Sequence, residues 1–233
     1  MFKFIRRLLL AIFLIIVLVV GAIALMGYVD YKDKVETVTV EEKVNALRSG
    51  ATYVKLDDIA LDMQHAVVAI EDHRFFDHSG IDYYALVRSV VVNISGQGNQ
   101  GGSTLSQQLA KNFYFMEDKG RLRKVSEAYV AKYLEETYSK KEILEMYVNI
   151  VYYGDNHYGI YEASMGYFDV LPENLTLAQA SVLAGLPQAP SVYALSNQNP
   201  QTIERQRMVL KAMLDYNFID GQQYEAVLAT ISS

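Results

Sequence analysis

GRLRKVSEAYVAKYLEETYSKKEILEMYVNIVYYG, residues 120–154, is the stretch that decides the fold. No glycine or proline interrupts it between Gly120 and Gly154, so nothing in it breaks a helix by its own chemistry. Ser139-Lys140-Lys141-Glu142 is a capping box: the hydroxyl accepts from the third helical amide and the glutamate reaches back to the cap. The spacing predicts two helices, at about 121–138 and 140–150. Upstream, Asp57 or Asp58 caps a predicted helix that carries Ile59, Met63, Ala66, Val67 and Ile70. Ile81 to Ile94 is a second apolar helical segment, ended by the loop SGQGNQGG. Downstream, Thr176-Leu177-Ala178-Gln179 is another capping box, opening a helix that stops near Gly185-Leu186-Pro187. A helix from about Thr202 to Asp215 and a short one from about Gln222 complete the pattern. The expected class is mainly α, with strands minor.

The chain has 233 residues, enough for one domain and an appendage. Half of it is apolar and only four residues are proline, so it can build a sizeable core. A net charge of −6 argues against general nucleic-acid binding. There is no cysteine, which excludes disulfides, thiol chemistry and cysteine-ligated metals. Lys3, Arg6 and Arg7 precede an uncharged run from Leu8 to Val29. That run spans roughly 30 Å as a helix, the hydrocarbon thickness of a bilayer. Basic residues on its N-terminal side place that side in the cytoplasm. Ala22-Ile23-Ala24 resembles a signal-peptide cleavage site, but the apolar run continues past it, which favours an uncleaved anchor. The expected division is a cytoplasmic N-terminus over 1–7, a transmembrane signal-anchor over 8–29, a stalk with room for a short strand over 30–56, and the main domain over 57–233.

Four segments hold candidate chemistry. In EDHRFFDHSGID, residues 71–82, Glu71 ends an apolar helix beside Phe75 and Phe76. Desolvation there would raise its pKa toward that of a neutral-pH proton acceptor. The same segment also reads as a helix end with solvated polar residues. His73 and His78 lack the spacing of a helical metal pair, and no metal site is expected. In GGSTLSQQLAKN, residues 101–112, glycines lead into Ser103 and Thr104 at a helix start, and Lys111 adds a charge two turns later. Backbone amides, hydroxyls and one cation suit an anion or a polyhydroxyl ligand. The order is not that of a nucleotide P-loop, and an ordinary capped helix fits the composition equally well. Arg123 and Lys124 lie four and three residues before Glu127 and share its helix face. They read either as a surface ion-pair ladder or as cations facing a phosphate. Pro187 and Pro190 stiffen LAGLPQAPS, residues 183–191, as a structural loop or a substrate wall.

In chain order, EDHRFFDHSGID, GGSTLSQQLAKN, RKVSE, KKEILEMYVNIVYYG and LAGLPQAPSVY resemble the motifs of the peptidoglycan glycosyltransferases of family 51, the biosynthetic transglycosylases. The resemblance covers roughly residues 57–195. It implies a lysozyme-like helical lobe, a small membrane-facing jaw and a cleft between them, with one N-terminal transmembrane helix. It implies polymerisation of lipid II into glycan strands by inverting transfer, with release of undecaprenyl pyrophosphate. By motif position Glu71 takes the general-base role and Glu127 is the second glutamate of the cleft, near the pyrophosphate. Ser103, Gln107, Gln108, Lys111, Asn112, Lys119, Arg123 and Lys124 fall on substrate-binding positions. Two positions depart from the family pattern. Lys119 stands where relatives often carry arginine, and Tyr167-Phe168-Asp169 stands where they often read YFG. No cofactor is required on this reading, and assistance by Mg²⁺ is left open. Implied partners are lipid II, the growing strand, membrane lipid and other cell-wall synthesis proteins, on the outer face of a bacterial cytoplasmic membrane. Moenomycin-type phosphoglycolipids are expected to bind the same site. The chain contains no S-x-x-K tetrad, so a monofunctional polymerase is expected. A lysozyme-type hydrolase and a non-catalytic anchored scaffold are the rival readings.

Overall fold

The computed structural model describes residues 2–94 and 101–231, so most of the loop expected after Ile94 lies outside the described residues. The helices are α1 (Phe2–Thr37), α2 (Val40–Arg48), α3 (Leu61–Glu71), α4 (Tyr83–Ile94), α5 (Leu105–Ala110) and α6 (Arg123–Thr137). They continue as α7 (Lys140–Ile150), α8 (Gly159–Phe168), α9 (Leu177–Gly185), α10 (Pro190–Tyr193), α11 (Pro200–Asp215) and α12 (Gly221–Ile231). Among the described residues no β-strand forms; Ser79 with Ile81 and Tyr152 with Tyr158 make isolated bridges. The fold is mainly α, as the pattern around residues 120–154 requires.

The expected helix boundaries hold where a side chain caps the start. Ser139 and Thr176 cap α7 and α9, each with its reciprocal glutamate or glutamine in place. Asp57 and Asp58 do not cap α3. They sit in a 3₁₀ turn over Leu56–Asp58, and the helix restarts at Leu61. The reason is tertiary. The Ala60 N–H donates to Pro172 O at 3.0 Å, and Gln64 Nε2 takes the carbonyls of Leu56 and Ile59, which holds this link extended.

Within residues 30–56 the expected short strand does not form, and residues 30–37 and 40–48 are helical. α1 runs on to Thr37, and Thr39 with Glu42 forms a capping box for α2. Val40 and Val44 of α2 lie fully inside the core. Each such burial stabilises by roughly 1.5–3 kcal/mol.

Two helix groups position the site. α3, α9 and α11 pack against one another. α1 packs on α6, and α5 touches both α6 and α7. α5 continues into a π-helical turn over Lys111–Phe115, a geometry that recurs at functional sites. α4 leaves Tyr83, Tyr84, Leu86 and Val87 exposed.

Candidate active site

The first cluster surrounds the last residue of α3. Glu71 is 14 % exposed at its side chain. Gln108 Nε2, from α5, donates to Glu71 Oε2 at 2.7 Å. Tyr147 OH, from α7, donates to Gln108 Oε1 at 3.1 Å, and this fixes the amide so that its NH₂ faces the carboxylate. Arg205 Nη2, from α11, lies 3.4 Å from Glu71 Oε1. Burial pushes the Glu71 carboxyl above the usual carboxylate range; Gln108 and Arg205 pull it back down, and neighbouring Asp72 raises it. The competing effects leave a desolvated carboxylate with a raised pKa, which is the state a general base needs near neutral pH.

α5 is pinned to α3 by the next residue. Asp72 Oδ2 accepts from the Leu105 N–H at 3.0 Å, and both Asp72 oxygens lie 3.0 Å from His78 Nε2. Thr104 caps α5 and donates to Gly80 O at 2.6 Å. One turn into α5, Gln108 therefore faces Glu71.

The second cluster lies on α6. Glu127 is 0 % exposed. Arg123 Nη1 stands 3.3 Å from Oε1 and Lys124 Nζ 2.7 Å from Oε2. Neither contact is aligned as a hydrogen bond, and among the described residues neither oxygen has another partner. Lys124 Nζ also donates to Ser103 Oγ at 2.9 Å. The ladder expected at this face exists, and its acid is buried while Lys124 stays exposed.

Comparison with known proteins settles the family. The family model described as Transglycosylase matches residues 39–214. The chain belongs to the transglycosylase family. A protein of Cupriavidus necator named for a transglycosylase is 39 % identical over 187 residues, which are 80 % of this chain and 81 % of that relative. Penicillin-binding protein 1A of Neisseria flavescens is 42 % identical over 76 % of this chain, and that of Escherichia coli 39 % identical over 74 %. The chain spans only about a fifth of the length of these penicillin-binding proteins, 22 % and 20 %. A crystal structure of penicillin-binding protein 1A from Haemophilus influenzae aligns over 76 % of this chain and 17 % of its own, with a TM-score of 0.46 and 24 % identity.

The remaining residues of this transglycosylase divide by position. Gln107 is committed to the α5 cap: its Oε1 accepts from the Thr104 N–H at 3.0 Å. Asn112 Nδ2 donates to Gln108 O at 2.8 Å and faces an open polar cavity of about 600 Å³ beside Lys34, Tyr114 and Asp118. Lys111 is half-buried at the start of the π turn, and Lys119 is exposed. Sequence reasoning missed Arg205, Tyr147 and the Asp72–His78 pair as partners of the site. Tyr147 and Asp72 lay inside quoted motifs with no role. Arg205 had no signal, because an arginine in an amphipathic helix looks like surface charge.

Asp169 ends α8 in the left-handed region at φ 53° and donates its N–H to Met165 O. That conformation is one that glycine adopts freely and aspartate tolerates.

Proposed function

We propose that this transglycosylase polymerises lipid II into peptidoglycan glycan strands. The observation that carries the reading is Glu71: a nearly buried carboxylate at a helix end, with its pKa raised by desolvation and the Gln108 amide donating to it. Glu71 removes the proton from the 4-hydroxyl of the acceptor's N-acetylglucosamine. That oxygen bonds to the anomeric carbon of the terminal N-acetylmuramic acid of the growing strand. The bond from that carbon to the pyrophosphate breaks on the opposite face, which inverts α to β, and undecaprenyl pyrophosphate leaves with the electron pair. Lys124, joined to Ser103, and Lys111 stabilise the leaving charge, together with Arg123 and Lys119. Glu127 has no exposed surface, so it acts by holding Arg123 and Lys124. Moenomycin-type phosphoglycolipids, which resemble the growing strand, occupy the same phosphate site.

α1 serves as a single membrane span, with Lys3, Arg6 and Arg7 in the cytoplasm and the remaining helices outside. Its apolar window has a mean hydropathy of 3.4. The exposed tyrosines and Val87 of α4 suit a jaw that meets lipid.

The test is polymerisation of purified lipid II by the full chain in detergent, with Glu71→Gln beside it. The variant keeps the shape and loses the proton acceptor, and a drop of about 10² to 10⁴ in rate is expected. Wild-type turnover by Glu71→Gln would end this mechanism. Shortening of preformed glycan by the wild-type chain would instead point to a hydrolase.

A further inference from the structure

LAGLPQAPS is the motif that the mechanism above leaves without work, and Arg205 is the buried charge it leaves without work. They meet. Arg205 is only 8 % exposed, and it enters from α11 toward the end of α9. Its Nε donates to Gly185 O at 3.2 Å, and its Nη2 stands 3.4 Å from Glu71 Oε1. A Cβ at Gly185 would press on the Arg205 stem at 2.9 Å. Gly185 therefore supplies both an acceptor for the guanidinium and the space through which its stem passes. Arginine rather than lysine suits this place, because a planar fork can hold a carbonyl with one edge and a carboxylate with another.

We infer that Arg205, seated on Gly185, is a positioning residue that holds the Glu71 carboxylate in its reactive orientation and in its ionised form. The inference rests on the reading of Glu71 as the base. The other groups around that carboxylate cannot replace the cation. Gln108 on α5 is neutral. Tyr147 on α7 and Tyr153 after it are buried phenols whose pKa values are pushed up, so they stay uncharged. Tyr193, on α10, faces Arg205. Asp72 is a second carboxylate, and it works against ionisation of Glu71. Arg205 is the positive charge set against burial. Its own pKa is lowered by burial, with Glu71 acting in the opposite direction. It remains protonated, as arginine does in proteins.

The consequence is a pH dependence. An acid whose pKa is raised loses its ionised fraction as pH falls through that pKa, and removal of Arg205 moves this point upward. The experiment is the pH–rate profile of lipid II polymerisation for the full chain, Arg205→Gln and Arg205→Lys, with Glu71→Gln as reference. Arg205→Gln is expected to shift the acidic limb up by about one pH unit. Turnover then falls about tenfold on that limb and recovers at alkaline pH. Arg205→Lys keeps the charge without the fork and is expected to lie between the two. A pH-independent loss in both variants, or an unshifted limb, would overturn the inference. If Arg205→Gln does not fold, as read by its circular dichroism melt, Arg205→Lys against wild type carries the same comparison. An active Glu71→Gln would show instead that the base lies elsewhere, a failure of the underlying reading and not of the Arg205 contact.

Discussion

At the scale of single residues, the site is a set of charges whose burial decides what each can do. Glu127 shows this most directly. It is wholly covered, and its oxygens rest on two cations without an aligned hydrogen bond. Breaking such a pair on one side leaves a buried charge short of compensation. Lys124→Ala is therefore expected to lower both stability and polymerisation, the latter about a hundredfold if Lys124 stabilises the leaving pyrophosphate. Lys124→Ala combined with Glu127→Gln should regain stability in a thermal melt and stay inactive on lipid II. Recovery of activity by the double variant would show that Lys124 matters only for folding. Lys119, exposed and without the arginine fork, should matter less than Lys111 when each is changed to alanine and moenomycin affinity is measured. These residue pairs differ in how far they could be read from sequence. Arg123, Lys124 and Glu127 were legible because helix geometry brings residues three and four apart together. The Glu71–Gln108 and Glu71–Arg205 contacts were not, because 37 and 134 residues separate the partners and only packing joins them.

At the scale of elements, caps did most of the specifying. Ser139 and Thr176 were legible as boxes, and Thr104 as a cap. Thr39 with Glu42 has the same pattern, but the β-branched run around it disguised α2 as a strand. Local propensity lost there to the burial of Val40 and Val44. Thr104 has the greater consequence, since the start of α5 sets where Gln108 points. Thr104→Ala removes the cap and the bond to Gly80 O. A cost of about 1 kcal/mol is expected from the cap alone, read as a lowered denaturant midpoint. Asp169→Gly should go the other way. It relieves a left-handed residue at the α8 terminus, and a gain below about 1 kcal/mol is expected after the added entropy of the unfolded glycine. A lower melting temperature for Asp169→Gly would mean that the aspartate side chain holds the turn.

At the scale of the whole molecule, the apolar helix α1 and the candidate site share one element, α6. α1 has 36 residues, about 54 Å of helix, against a hydrocarbon layer of about 30 Å. Its C-terminal part, from Ala24 to Lys34, docks on α6 and the residues just before it. Tyr129 OH donates to Ala24 O at 3.2 Å and Ser126 Oγ to Gly27 O at 3.1 Å. Tyr28, Tyr31 and Tyr129 form a ring cluster, and Lys34 pairs with Asp118 at 3.2 Å. The opposite side of α6 carries Arg123, Lys124 and Glu127. One helix, α6, thus joins α1 to the Arg123–Lys124–Glu127 cluster. The contact depends on a glycine, because any Cβ at Gly27 would run into the Val125 side chain. Val125 is β-branched and stiff, so it cannot swing aside cheaply. Gly27→Leu is therefore expected to part α1 from α6 while leaving the apolar span intact. Membrane fractionation should find the variant still attached, and polymerisation of lipid II in detergent should fall at least several-fold, although anchoring is not needed there. Unchanged turnover in detergent would mean that α1 is a tether only and that α6 holds its own position.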